Sequence, residues 1–222
     1  MTSAAPTNIL LTRSVDELWL DVLQQISART AHELKGALNG VAVNLEVVRS
    51  RSARTDAGAS SVAPFASSAA DQLDAVVGMS EALLKLARAP REPLDIGETI
   101  DSLVSLLSPS ARAEGGSLRL ESASRELTPS AVRPRGNVVR LVIAAALLAA
   151  LERKGDIRCR VDVGEEAVVS VACADAEGPL ELSADVLSVA GAADIRVHTE
   201  GHGISVAFPR AGATRMRTHE RA

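Results

Sequence analysis

His32, followed directly by Glu33, stands in the middle of an uninterrupted helical pattern, and these two residues have the types and placement to do chemistry. A neutral imidazole nitrogen exposed on a rigid helix is a competent nucleophile, and a neighbouring carboxylate that orients the ring and takes its other proton improves it. Phosphorus is the electrophile that suits this pair, because in-line attack on a phosphoryl group asks mainly for positioning and charge neutralisation. Lys35 supplies charge for that neutralisation. Gly36, one turn on, removes side-chain bulk where another protein must approach, and with Asn39 these are the polar neighbours of His32 at helical spacing. Lys35, Gly36 and Asn39 are therefore the expected docking residues. A zinc reading of His-Glu would need a second histidine four residues on, where the chain has Gly36. The same spacing also fits an ordinary surface histidine, and these residues alone leave the two readings side by side.

The element that must position His32 is long. Leu20, Leu23, Ser27, Ala31, Leu34, Leu38, Val41, Leu45 and Val48 recur at intervals of three and four, the spacing of one apolar stripe along a helix. Ser14 is the expected N-cap, with Asp16 and Glu17 in the first turn, and no proline interrupts the pattern before Arg51. A lone amphipathic helix cannot bury its stripe. The break SARTDAGASSVAP, its turn marked by Gly58 and Pro64, leads to a second stripe through Ala66, Ala69, Leu73, Val76, Ser80, Leu83 and Ala87. Two helices on a short loop predict an antiparallel hairpin. Its apolar faces can be covered by a second copy, giving a homodimeric four-helix bundle, or by the C-terminal half of the same chain.

That second half begins after Pro90 and Pro93 and reads as α+β. Helices are expected over 95–113, 138–153 and 182–190, and strands over 117–121, 157–163, 167–174, 195–199 and 204–209. Glycine turns sit at 164–166 and 201–203. Helices laid on an antiparallel sheet make a two-layer sandwich. The expected organisation is an arm over 1–13, a helical hairpin over 14–89, a sandwich over 93–210 and a basic tail over 211–222.

Composition narrows the function classes. The chain has 222 residues, 46% of them hydrophobic and 23% charged, enough to fold by burial. Its only aromatics are Trp19, Phe65 and Phe208, so stacking platforms for nucleic-acid bases are nearly absent, and the net charge of -4 disfavours a nucleic-acid partner. Cys159 and Cys173 match no metal or disulfide spacing and read as reduced residues of a sheet. The N-terminus lacks the apolar run of a signal peptide, and the run from Leu141 to Leu151 is too short to span a bilayer. A cytoplasmic protein without a membrane segment is expected.

Several stretches resemble one family. AHELKGALNG resembles the phospho-accepting box of sensor histidine kinases, EPLDIGETIDSLVSLLSPSARAEGGSLRLE the opening of their ATP-binding domain, and IRVHTEGHGISVAFP its closing hairpin. The resemblance implies that His32 is phosphorylated with Glu33 as its acid/base partner, that the hairpin dimerises, and that response-regulator receiver domains dock beside His32. Inside the box, Gly36 and Ala37 replace the family's usual Asn or Thr and its proline. In the ATP domain, Ala145 and Ala149 stand where asparagines would, the second of them the usual magnesium ligand. Asp175 matches the adenine-binding aspartate, but Glu177 replaces a glycine, and after Gly178 the chain passes almost directly to the last helix without the family's lid. These departures imply no bound cofactor and no metal. In this respect the chain resembles ChpT-type histidine phosphotransferases, which look like histidine kinases with a degenerate ATP domain. The expected function is dimeric phosphotransfer through His32 between receiver domains. The alternatives are an ATP-dependent histidine kinase with divergent boxes and a non-catalytic dimeric scaffold for a kinase or receiver domain.

Overall fold

The structure, a computed structural model, describes residues 13–54, 59–122, 131–132, 134–174 and 178–210. The expectations for the arm, the tail, Gly58, Asp175 and Glu177 lie outside these residues.

Helix α1 runs from Val15 to Ser52. A reciprocal capping box starts it: the Glu17 amide donates to Ser14 Oγ (3.2 Å) and the Ser14 amide donates to Glu17 Oε2 (2.8 Å). Hydrogen bonding from the Ser14 backbone, then from its side chain, holds the Glu17 carboxyl below its usual pKa. After a 3₁₀ turn at Ala59–Ser61, helix α2 spans Ala63–Ala87. Pro64 belongs to its first turn rather than to the loop, because the first helical amides have no intrahelical acceptor to lose. The two helices are antiparallel. Arg51, late in α1, donates to the Ser61 carbonyl and lies over the Phe65 ring, whereas Asn44, earlier in α1, donates to Ser68 Oγ and Gln72 Oε1, later in the chain.

The expected stripe on α1 is offset from the buried one. Leu18, Trp19, Val22, Ile26 and Thr30 are the buried residues of α1, all in its N-terminal half. Leu20, Leu38 and Leu45 are 53%, 49% and 52% exposed. The reason is tertiary: α1 packs against α2 along its length, but its N-terminal half also packs against helices of the C-terminal half of the chain, which select the adjoining face. Thr30 is accommodated in this core because its hydroxyl donates to the Ile26 carbonyl (2.9 Å).

The C-terminal half opens with β1 (Leu94–Asp95) and α3 (Ile96–Ala113), whose N-cap Asp95 accepts from the amides of Gly97 (2.7 Å) and Glu98 (3.3 Å). Next come β2 (Ser117–Ser122), β3 (Ala131–Val132), α4 (Gly136–Leu151), β4 (Asp156–Val163), β5 (Glu166–Cys173), α5 (Ala184–Ala192), β6 (Arg196–Glu200) and β7 (Gly203–Pro209). The short β1–β3 pair escaped sequence reading because a two-residue strand has no period. The main sheet has the order β2-β4-β5-β7-β6. It is mixed rather than antiparallel, since β2 and β4 pair in parallel from Ser117↔Asp156 to Ser122↔Val161. The chain between them contains α4, and such a crossover returns a strand in the same direction. Alternate residues of the strands face the helices: Ile157, Cys159 and Val161; Ala167, Val169, Val171 and Cys173; Ile204, Val206 and Phe208. Both cysteines are buried, and burial pushes the Cys159 thiol up to about 12. The fold is α+β, a helical hairpin joined to a two-layer sandwich.

Buried Arg140 of α4 fixes that joint. Its guanidinium donates to the carbonyls of Lys85 (3.2 Å), Leu86 (3.2 Å) and Arg88 (2.7 Å), the orphan acceptors at the C-terminus of α2. Asn137 adds a bond to Asp16 at the start of α1 (3.0 Å).

Candidate functional site around His32

Helix α1 presents His32 at its exposed surface in the middle of the hairpin, with Glu33 half-buried beside it. Lys35, Gly36 and Asn39 are exposed on the same helix. At Gly36 a Cβ would meet nothing within 4 Å, so the helix surface one turn beyond His32 is open. Among the described residues His32 has no hydrogen-bond partner, and its ring is available to an incoming group. In the turns that lead into it, Ser27 Oγ donates to the Leu23 carbonyl (2.7 Å) and Thr30 Oγ1 to that of Ile26 (2.9 Å), so both hydroxyls are satisfied within the helix.

His32 and Glu33 also line a cleft of about 260 Å³ between α1 and the C-terminal end of α3, together with Arg29, Ser110, Ala113 and Glu114. Across its mouth Arg29 Nη1 donates to Glu114 Oε1 at 2.8 Å. The structure therefore divides the expected site in two. His32 and Glu33 line an open cleft, whereas Lys35, Gly36 and Asn39 do not. The cation in the cleft is Arg29, not Lys35. Arg29 precedes His32 by three residues and could have been found from helical spacing alone. Glu114 could not, since 85 residues separate it from Arg29.

Ala145 and Ala149, the positions matched to asparagines, line a second cleft of about 290 Å³ formed by α1, α4 and α5. Its other walls include Leu18, Asp21, Val22 and Gln25 of α1, so the chain's own first helix lies along this side of α4. Glu152 and Glu181 add negative charge to the rim, and Arg13 is paired with Asp21. From Gly178 the chain reaches α5 through residues 179–183, and this connection is tied down. The Pro179 carbonyl accepts from Arg153 (2.9 Å), the Gly178 carbonyl lies 3.2 Å from His202 Nδ1, and Leu180 and Leu182 are buried.

No protein-family model and no curated protein matches the sequence. Among solved structures the chain is similar to the Acinetobacter baumannii histidine kinase AdeS, with 12% identity over 80% of this chain and 97% of that one and a TM-score of 0.39. It is similar to the histidine kinase ThkA, solved in complex with the response regulator TrrA, with 13% identity over 85% of this chain and 61% of that one and a TM-score of 0.41. A third is the blue-light activated histidine kinase of Erythrobacter litoralis, with 14% identity over 83% of this chain and 59% of that one and a TM-score of 0.34. The chain thus spans about three fifths of the length of the latter two.

Proposed function

We propose that this chain is a dimeric histidine phosphotransferase of a two-component phosphorelay, in which His32 takes a phosphoryl group from the aspartate of one response-regulator receiver domain and passes it to another. The observation that carries this reading is the setting of His32: an exposed imidazole, unpartnered among the described residues, on a long helix beside a carboxylate, with the helix surface open at Gly36. In the transfer a ring nitrogen of His32 attacks phosphorus in line with the departing aspartyl oxygen. A P–N bond forms, the P–O bond breaks, the carboxylate leaves with the bonding pair, and the proton on the other ring nitrogen passes to Glu33 or to water. The return transfer reverses each step. Lys35, Gly36 and Asn39, exposed beyond the cleft, make the surface on which the receiver domain rests.

Protein rather than nucleotide as the phosphoryl source is supported by the C-terminal half. The helix α4 positions that resemble the asparagine box carry methyl groups and lie along α1, the adjoining rim carries Glu152 and Glu181, and the connection from Gly178 to α5 is short and tethered. Dimerisation is supported by the exposed Leu38, Leu45, Leu73, Val77 and Leu84 of the hairpin. Two incubations test the reading, one with labelled ATP and magnesium, the other with a phosphorylated receiver domain. Label should appear only in the second, on His32, and vanish in His32→Gln. Label from ATP would identify an active kinase, and no label from either would leave a scaffold.

A further inference from the structure

We propose that Arg29 is the phosphoryl-binding residue of the cleft, held in reserve by Glu114 and exchanged onto the phosphoryl oxygens when His32 is modified. The proposal rests on the reading of His32 as a phosphoryl acceptor and adds a residue and a conformational consequence to it. A spacing of three places Arg29 and His32 side by side on α1, with their Cβ atoms about 5–6 Å apart. Both line the same cleft, whose opposite wall is the last turn of α3. A phosphoryl group on His32 brings a dianion into a space that already holds the carboxylates of Glu33 and Glu114. Among the described residues that line the cleft, Arg29 is the one permanent cation. Its planar fork matches phosphoryl oxygens in pairs, which a lysine cannot reproduce.

The existing partner is one that can be left. Arg29 and Glu114 are each 31% exposed at the side chain, and a pair so accessible to water is weakly held. Glu114 is also the C-cap residue of α3, where the helix dipole disfavours a carboxylate, so the arginine stabilises this end only while it is bound there. Moving Arg29 to the phosphoryl group therefore loosens the contact between α1 and the end of α3. The chemistry at His32 is thereby coupled to the seating of the hairpin on the sandwich.

The test uses potassium phosphoramidate, a small donor that needs no docking surface. The imidazole nitrogen displaces ammonia from phosphorus, a P–N bond to His32 replacing the P–N bond of the donor, and the ring releases a proton. Phosphohistidine formation is followed by intact mass at neutral pH for the full chain and for Arg29→Ala, Arg29→Lys, Glu114→Gln and Arg49→Ala. Arg29→Ala should lower the labelling rate about tenfold, Arg29→Lys should restore part of it, and Glu114→Gln should raise it above the parent. Arg49→Ala, which removes an equal charge from the far end of the same helix, should leave it unchanged. Hydrogen exchange gives the second readout: labelling should speed exchange in the last turn of α3 in the parent but not in Arg29→Ala. Equal losses in Arg29→Ala and Glu114→Gln would show a merely structural ion pair and overturn the proposal, as would parental labelling in Arg29→Ala or failure of phosphoramidate to modify His32. Arg29-dependent labelling by phosphoramidate with no transfer from receiver domains would instead refute the relay and leave the clamp standing.

Discussion

At the scale of a single residue, Gly36 is where the proposed docking surface can be tested apart from the chemistry at His32. Glycine inside a helix is less stable than alanine by about 1 kcal/mol, and here a methyl group would meet nothing within 4 Å. Gly36→Ala should therefore raise the melting temperature by about 2–4 °C, read by circular dichroism. A bulky Gly36→Leu should leave phosphoramidate labelling of His32 intact and slow transfer from a phosphorylated receiver domain, because only the larger donor must cross that surface. Equal effects on both donors would remove Gly36 from the docking surface. Cys159 gives a second prediction at this scale. Its thiol ionises at 9.0 when unfolded and at about 12 in the fold, because burial penalises the thiolate. Between those values the unfolded state has lost a proton that the folded state keeps, so stability is complete below pH 9.0 and falls as pH rises, by about 1.4 kcal/mol per pH unit from this group. Urea unfolding of the parent and Cys159→Ala across pH 8–11 checks this: the parent should lose stability faster above pH 9. The same burial should keep native Cys159 unreactive to thiol reagents at pH 8 while the urea-unfolded chain reacts.

Among the elements, α4 is tied to the C-terminal end of α2 through Arg140. The three carbonyls that Arg140 caps end α2, and no other hydrogen bond involving α4 joins it to the end of that helix among the described residues. Burial lowers its pKa from the ordinary guanidinium value, and Nε finds no partner among the described residues, so part of what the cap contributes is offset by desolvation. Arg140→Met keeps most of the stem and removes the three bonds. A net loss of about 2 kcal/mol is expected in urea unfolding, together with faster hydrogen exchange in the last turn of α2. An unchanged exchange rate there would show that the packing of Leu86 alone holds the joint. Arg140 also marks the limit of what sequence reveals. Patterns with a local cause were readable: the Ser14 cap, the three-four spacing of both hairpin helices, the alternation in β4, β5 and β7, and the open side of His32. Features that depend on distant chain were not: the parallel β2–β4 pair, the Arg29–Glu114 bridge, and the face of α1 that is buried. In the last case the apolar residues of α1 occupy two adjoining faces, and only the position of the C-terminal half decides that Val22 and Ile26 go inside while Leu38 and Leu45 stay out.

For the whole molecule, those outward residues carry the remaining prediction. The sandwich covers one face of the N-terminal half of α1, while Leu38 and Leu45 of α1 and Leu73, Val77 and Leu84 of α2 remain exposed. A Cβ on Gly40 would touch the side chain of Gln72, and the helices are antiparallel, so Leu38 and Leu73 stand at nearly one level of the hairpin. A second hairpin laid on this face would bury both pairs at once, and two-fold symmetry makes each substitution count twice. Fully burying a leucine side chain contributes about 1.5–3 kcal/mol, and each of these is already about half buried, so Leu38→Glu combined with Leu73→Glu removes about 3 kcal/mol or more across the four copies, a dissociation constant raised at least about a hundredfold. Sedimentation equilibrium should show the parent as a dimer and the double variant as a monomer whose far-ultraviolet circular dichroism is retained, because neither residue belongs to the buried core of the single chain. A monomeric parent would overturn the bundle. If the double variant is monomeric and still accepts phosphate at His32 from phosphoramidate, the nucleophile and its Arg29 cleft belong to one chain, and dimerisation serves docking rather than the transfer itself.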